Sequence, residues 1–139
     1  MRLYLTIPLL LTLVHTAWAD TTNRAKQFSP VPGIFVGGVG LVCKSNPPNI
    51  VEFLLLTKDR QRVGLAFFEN DDVTYECLAI TKTTPRTYFV KQENIEFVLD
   101  RQSLKLTMEQ EYNCSVMSIS DLHNAAKDFL RKLLSENKI

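Results

Sequence analysis

The sequence predicts a mainly β fold, an antiparallel β-sandwich or small barrel of roughly six or seven strands with one C-terminal amphipathic helix. Three observations predict it. Short runs rich in Val, Ile, Thr, Tyr and Phe recur at intervals of about ten residues, broken by turn formers such as Asp71-Asp72 and Thr84-Pro85. In SLKLTMEQEYNCSV the apolar Leu104, Leu106, Met108, Tyr112, Cys114 and Val116 alternate with polar residues, the two-residue period of a strand with one wet face. Beyond it the period changes: Leu122, Ala126, Phe129 and Leu133 recur at helical spacing.

Taken in order, residues 1–19 read as a signal peptide. Arg2 gives a basic start, Leu3 to Val14 a short apolar run, and Ala17-Trp18-Ala19 a small-x-small cleavage site. The run is shorter than the roughly 20 residues a membrane span needs, and no later stretch reaches that length, so no stable membrane insertion is expected. Secretion to the extracellular space is. Residues 20–32 are polar with two prolines and form a flexible lead-in. One secreted domain then occupies residues 33–139.

Its first strand is GIFVGGVGLVCK, in which Phe35, Val39, Leu41 and Cys43 share a side. NIVEFLLLTK is apolar on both sides except at Glu52, the pattern of a central strand. RVGLAFFEN, DVTYECLAITK, RTYFVK and NIEFVLD follow as further strands, and SLKLTMEQEYNCSV reads as the last. Ser120 is the expected N-cap of the final helix, with Asp121 suited to the positive end of its dipole and Arg131, Lys132 and Lys138 to the negative end. The helix is expected to pack its apolar stripe on the sheet.

Charge and composition exclude several functions. Cleavage removes Arg2, leaving 15 of the 16 basic side chains against 15 acidic ones. A near-neutral chain with interspersed signs is a poor polyanion binder, and no nucleic-acid partner is expected. Cleavage also removes the one tryptophan and His15, so His123 alone would have to carry any imidazole chemistry. It lies in the helix and reads as a partly exposed helix residue. Asp71-Asp72 reads as a turn, and the GGVG stretch lacks the Lys-Ser and helix of a phosphate loop. No catalytic, cofactor-binding or metal-ligating residues are assigned. The chain reads as non-enzymatic, with no cofactor. The aromatics Phe67, Phe68, Tyr88 and Phe89 read as core or cross-strand pairs.

Three cysteines, Cys43, Cys77 and Cys114, remain in an oxidising compartment. Spacing does not choose among the three pairings. The odd one either stays buried as a small hydrophobe or links two copies as a homodimer. A Cys43–Cys77 pair would match an immunoglobulin pattern through DVTYEC, but the intervening loop is short and no tryptophan packs on it. Asn113-Cys114-Ser115 fits the glycosylation pattern, which makes Asn113 a candidate glycan site.

GVGLVCKSNPPNIVEFLLLTKD resembles the beginning of the nematode transthyretin-like secreted family, through Gly40, Leu41, Cys43, Pro48, Val51, Leu55 and Asp59. LDRQSLKLTMEQEYNC resembles that family's later segment through Leu99, Asp100, Leu104, Leu106 and Cys114. The chain departs from it in lacking the family's Thr-Asp-x-x-Gly-x-Phe turn, in Tyr112 replacing a His, and in ending on a helix. The resemblance implies a small extracellular β-sandwich that binds a lipid or a protein without catalysis, and a Cys43–Cys114 disulfide. Alternation is compatible with that pair, although Cys77 also lies among apolar neighbours. The function expected is recognition of an extracellular protein partner. The alternative is carriage of a small apolar ligand or lipid in a β-barrel or sheet-helix cavity, because Phe53, Leu54, Leu55, Leu56, Phe67 and Phe68 exceed what a thin sandwich needs.

Overall fold

The computed structural model describes residues 31–47 and 50–136. The expected signal peptide, most of the lead-in and Lys138 lie outside the described residues. Contacts divide the chain after Pro32, and the described elements belong to the unit from Gly33 onward.

A 3-10 turn, Gly33–Phe35, precedes nine strands: β1 (Val39–Ser45), β2 (Val51–Leu56), β3 (Arg62–Glu69), β4 (Asp72–Ala79), β5 (Lys82–Thr83), β6 (Thr87–Gln92), β7 (Ile95–Asp100), β8 (Lys105–Thr107) and β9 (Glu111–Met117). Helix α1 (Ile119–Ser135) ends the fold. All strand pairs are antiparallel and form one sheet in the order β4-β3-β2-β1-β9-β8-β7-β6-β5. The expected β-rich class with a C-terminal helix is therefore present, as one curled half-barrel sheet of nine strands. It is not a two-sheet sandwich of six or seven.

Two features set the curl. Between β4 and β5 the chain steps from one sheet edge to the other: Ile80 N donates to Gln61 O (2.9 Å) on the β3 side, and Thr81 N to Phe89 O (2.8 Å) on the β6 side. The edges are thus drawn together at one end. At the other end the β2–β3 ladder stops at Leu54↔Leu65, although β2 begins at Val51 and β3 continues to Glu69. Those two strands splay.

Each face of the sheet has its own core. The inner face holds Leu41, Cys43, Leu54, Leu56, Val63, Leu65, Leu78, Val90, Phe97, Leu99 and Leu106 in one buried cluster. The outer face of β1 to β4 is covered by α1 and the 3-10 turn. Phe129 of α1 packs on Phe53 and Phe68 with ring centroids 5.6 and 5.9 Å apart, and Phe35 is wholly buried. β2 therefore meets apolar neighbours on both sides, as its sequence predicts. Two glycines permit the covering layer to approach. A Cβ at Gly40 would lie 2.4 Å from the Leu122 Cβ, and one at Gly64 2.7 Å from the Phe35 ring.

Several boundaries differ from expectation. Phe35 belongs to the 3-10 turn, so it packs on the outer layer instead of sharing the inner side with Leu41 and Cys43. SLKLTMEQEYNCSV is a hairpin, β8 and β9, with Leu106 directly opposite Tyr112. The turn is three residues long, Met108 to Gln110, so paired residues differ by an even number and the two-residue period passes through it unbroken. The N-cap is Ser118, whose extended backbone and Oγ, accepting from Asp121 N at 3.0 Å, start the helix two residues before Ser120. The buried stripe is Leu122, Ala126 and Leu130, with Leu133 and Leu134 exposed in the last turn. The β3–β4 turn is centred on Asn70 and Asp71, both at positive φ (52° and 59°), the type I′ geometry of a two-residue hairpin.

Candidate functional site

Where β2 and β3 splay, the inner face opens into a cleft of about 300 Å³. Glu52 of β2, Leu65 and Phe67 of β3, Ile95 of β7, Met108 in the β8–β9 turn and Tyr112 of β9 form its walls, with Glu96 and Glu109 at the rim. The volume falls at the lower bound for small-molecule sites, and it holds roughly ten water volumes or a ligand of ten to fifteen non-hydrogen atoms.

Glu52 is the unusual member. Strand alternation turns it to the inner face, because its register partner on β1 is Cys43, which is fully buried in the inner cluster. It is half-buried, and among the described residues it has no hydrogen-bond or ion-pair partner. Burial raises its pKa above the ordinary glutamate value. Phe67 is the complementary feature: 38 % exposed, it leaves a large aromatic face uncovered where its strand departs from β2.

The disulfide lies directly beside this carboxylate. Cys43 is bonded to Cys114, and Glu52, Cys43 and Cys114 form one row across β2, β1 and β9. Cys114 N donates to Leu104 O (2.9 Å), away from β1, so Cys43 and Cys114 occupy a non-hydrogen-bonded pair, where facing side chains come closest. Cys77 pairs in register with Gly64 on the outer face of β4, the face opposite Cys43. It is exposed, so of the two alternatives for the odd cysteine the buried one does not hold. Asn113 is exposed on β9 beside Lys44 and Lys105, its partners on the two flanking strands.

The other chemical candidates sit elsewhere. His123 of α1 takes a 2.8 Å hydrogen bond with the Tyr75 hydroxyl on the outer face. Burial, then the charge of Lys127, lower its pKa, while Asp72 opposes them. Burial also raises that of Tyr75. The pair seals the helix against β4 and lies on the opposite side of the sheet from the cleft. Asp100 is held well below the carboxylate range by Arg86, 2.8 Å away, and by the amides of Ser103 and Gln102 in the β7–β8 turn. Among the described residues no three His, Cys, Asp or Glu side chains converge as metal ligands.

A larger hollow of about 540 Å³ lies beside Ile34 and the β2–β3 turn; Lys58 and Arg62 are exposed at its edge, and its Thr57 and Asp59 are paired within the turn. Thr57 Oγ1 donates to Asp59 (2.7 Å), and both accept from Gln61 N. Chemistry, not size, therefore singles out the cleft. Comparison with known protein families, with known proteins and with solved structures finds no match. The site is read from its own geometry.

Of the aromatics read from sequence as core, Phe68 joins the helix-facing cluster and Tyr88 is buried, whereas Phe67 lines the cleft. The excess of apolar residues in β2 and β3 is divided between two cores: Phe53, Leu55 and Phe68 serve the outer layer. Glu52 was not singled out as a site residue. Its signal was nonetheless present, as the one charge in a strand apolar on both sides.

Proposed function

We propose that this protein is a secreted, non-enzymatic binding protein that takes a small ligand with an apolar body into the mouth of its half-barrel. The observation that carries the reading is Glu52, half-buried and without a partner among the described residues, beside the exposed ring of Phe67 in a cleft of about 300 Å³. A desolvated carboxyl is costly unless something pairs with it, and a site made of apolar walls with one fixed polar group is how small-ligand pockets combine affinity with orientation. The leader-like residues 1–19, the disulfide and the resemblance to a secreted family support export. No helix among the described residues is long and apolar enough to cross a membrane.

Native mass spectrometry of protein purified from a secretory host tests the reading. A folded chain carrying an added mass of about 150–200 daltons, lost on denaturation, is the expected result. A bare mass that no added small apolar compound shifts contradicts it.

A second reading, recognition of an extracellular protein, is supported by β4. Among the described residues this eight-residue strand ends the sheet and pairs only with β3, which leaves its outer backbone groups open to a partner's strand. A heterologous chain retained by the folded protein and released by a proline at Glu76 would support it. Asn113 is proposed as a glycan site on the exposed side of β9, checked by the mass lost on Asn113→Gln.

A further inference from the structure

We infer that the ligand of the half-barrel mouth is a small organic cation, an amine on an aromatic or branched apolar body, with its ammonium against Glu52. This rests on the cleft reading above and adds the ligand's charge and class to it.

The walls decide the body and the carboxylates decide the head. Leu65, Phe67, Ile95, Met108 and Tyr112 offer apolar and aromatic surface, and the Met108 thioether suits a ring edge. Among the described residues no lysine or arginine lines the cleft, while Glu52, Glu96 and Glu109 do, beside the neutral amide of Asn94. The three are not equivalent. Glu96 sits on the exposed rim, 4.0 Å from Lys91, and Glu109 is exposed in a turn. Both contribute a negative field that draws cations to the mouth. Glu52 alone has lost much of its water on the cleft wall without gaining a donor among the described residues. An ammonium donates up to three hydrogen bonds and carries the opposite charge, so it restores both what burial removed. The ring faces of Phe67 and Tyr112 add cation–π attraction for the same group. An anion would face three like charges, and a neutral compound supplies Glu52 at most a hydrogen bond, without the opposite charge. A cation restores both to the half-buried carboxylate, whereas the other two do not.

Three compounds sharing an indole ring test this by isothermal titration on the secreted chain near neutral pH: tryptamine (cation), tryptophol (neutral) and indole-3-propionate (anion). Tryptamine is expected to bind the wild type about tenfold or more tighter than tryptophol, with indole-3-propionate weakest. In Glu52→Gln the tryptamine advantage is expected to vanish while tryptophol binds as before. Raising the salt concentration on the wild type should shrink the same advantage, a readout independent of how well the variant folds. Equal binding of tryptamine and tryptophol by the wild type overturns the cation assignment and leaves the cleft reading standing. A tryptamine advantage that survives Glu52→Gln in a folded variant also overturns it, since the ammonium would be held elsewhere. Failure of all three compounds to bind at about 5 mM defeats the cleft reading and this inference with it.

Discussion

Replacing both bridged cysteines, Cys43→Ala with Cys114→Ala, removes a cross-link that closes a separation of 71 residues. In the chain-entropy treatment a loop of that length restricts the unfolded chain by about 4 kcal/mol at room temperature. Cys43 is fully buried within the inner cluster, so its missing sulfur also leaves a small void. A domain of this size has roughly 5–15 kcal/mol in total, so the variant should lose a quarter or more of its stability, and most of it if the wild type lies at the low end. Guanidinium titration under non-reducing conditions measures it. The midpoint should fall in proportion while the slope rises modestly, because an unlinked chain exposes more surface when unfolded. A loss below about 1 kcal/mol would refute the reasoning. It would mean that the register of β1 on β9 is already populated in the unfolded chain, so that the bridge constrains nothing further.

Three further outcomes follow from the packing and the caps. Gly40→Ala presses a methyl group against the Leu122 Cβ, an atom that truncation of Leu122 would leave in place, and should cost about 1–3 kcal/mol, as read by thermal unfolding. Ser118→Ala should cost about 1 kcal/mol through loss of the Asp121 N–H acceptor, whereas Ser120→Ala should be near neutral, a contrast that circular dichroism on heating resolves. Glu52→Gln should change the pH dependence of stability. A carboxyl whose folded pKa is raised holds its proton longer when folded, so the wild type loses stability as pH climbs from the ordinary glutamate value through the folded one. Glu96 and Glu109 line the same cleft, but burial is the cause of the shift. Glu52→Gln should therefore match the wild type in acid and exceed it in melting temperature near neutral pH, which scanning calorimetry at two pH values checks.

How far the sequence reveals the fold depends on whether local pattern or tertiary partners set each feature. β2 was legible as a central strand because Phe53, Leu54, Leu55 and Leu56 need cover on both sides, and α1 was legible from the spacing of Leu122, Ala126 and Phe129. The β8–β9 turn was hidden because Met108-Glu109-Gln110 contains no Gly, Pro or Asn and keeps the alternation in phase from Leu106 to Tyr112. Phe35 was misplaced for a related reason: its phase with Val39 and Leu41 is only local, and burial under the outer layer at Gly64 decides its conformation. The strand count and the single sheet were beyond reach, since the step from β4 to β5 at Ile80 and Thr81 carries no special residue and is fixed by backbone bonds to Gln61 and Phe89. The candidate site was half legible. Glu52 stood out as a charge in an apolar strand, but the cleft exists only because the β2–β3 ladder ends at Leu54↔Leu65, which no single strand's pattern encodes.

If the splayed end of the half-barrel is a binding site, the uncharged tryptophol should occupy it. Titrating isotopically labelled protein with that compound and following side-chain resonances decides the point. The predicted result is a saturable shift of Leu65, Phe67, Ile95, Met108 and Tyr112, with Leu122, Ala126 and Phe129 under the helix unmoved. Shifts centred on the helix-covered face, or none at all at saturating compound, would contradict it.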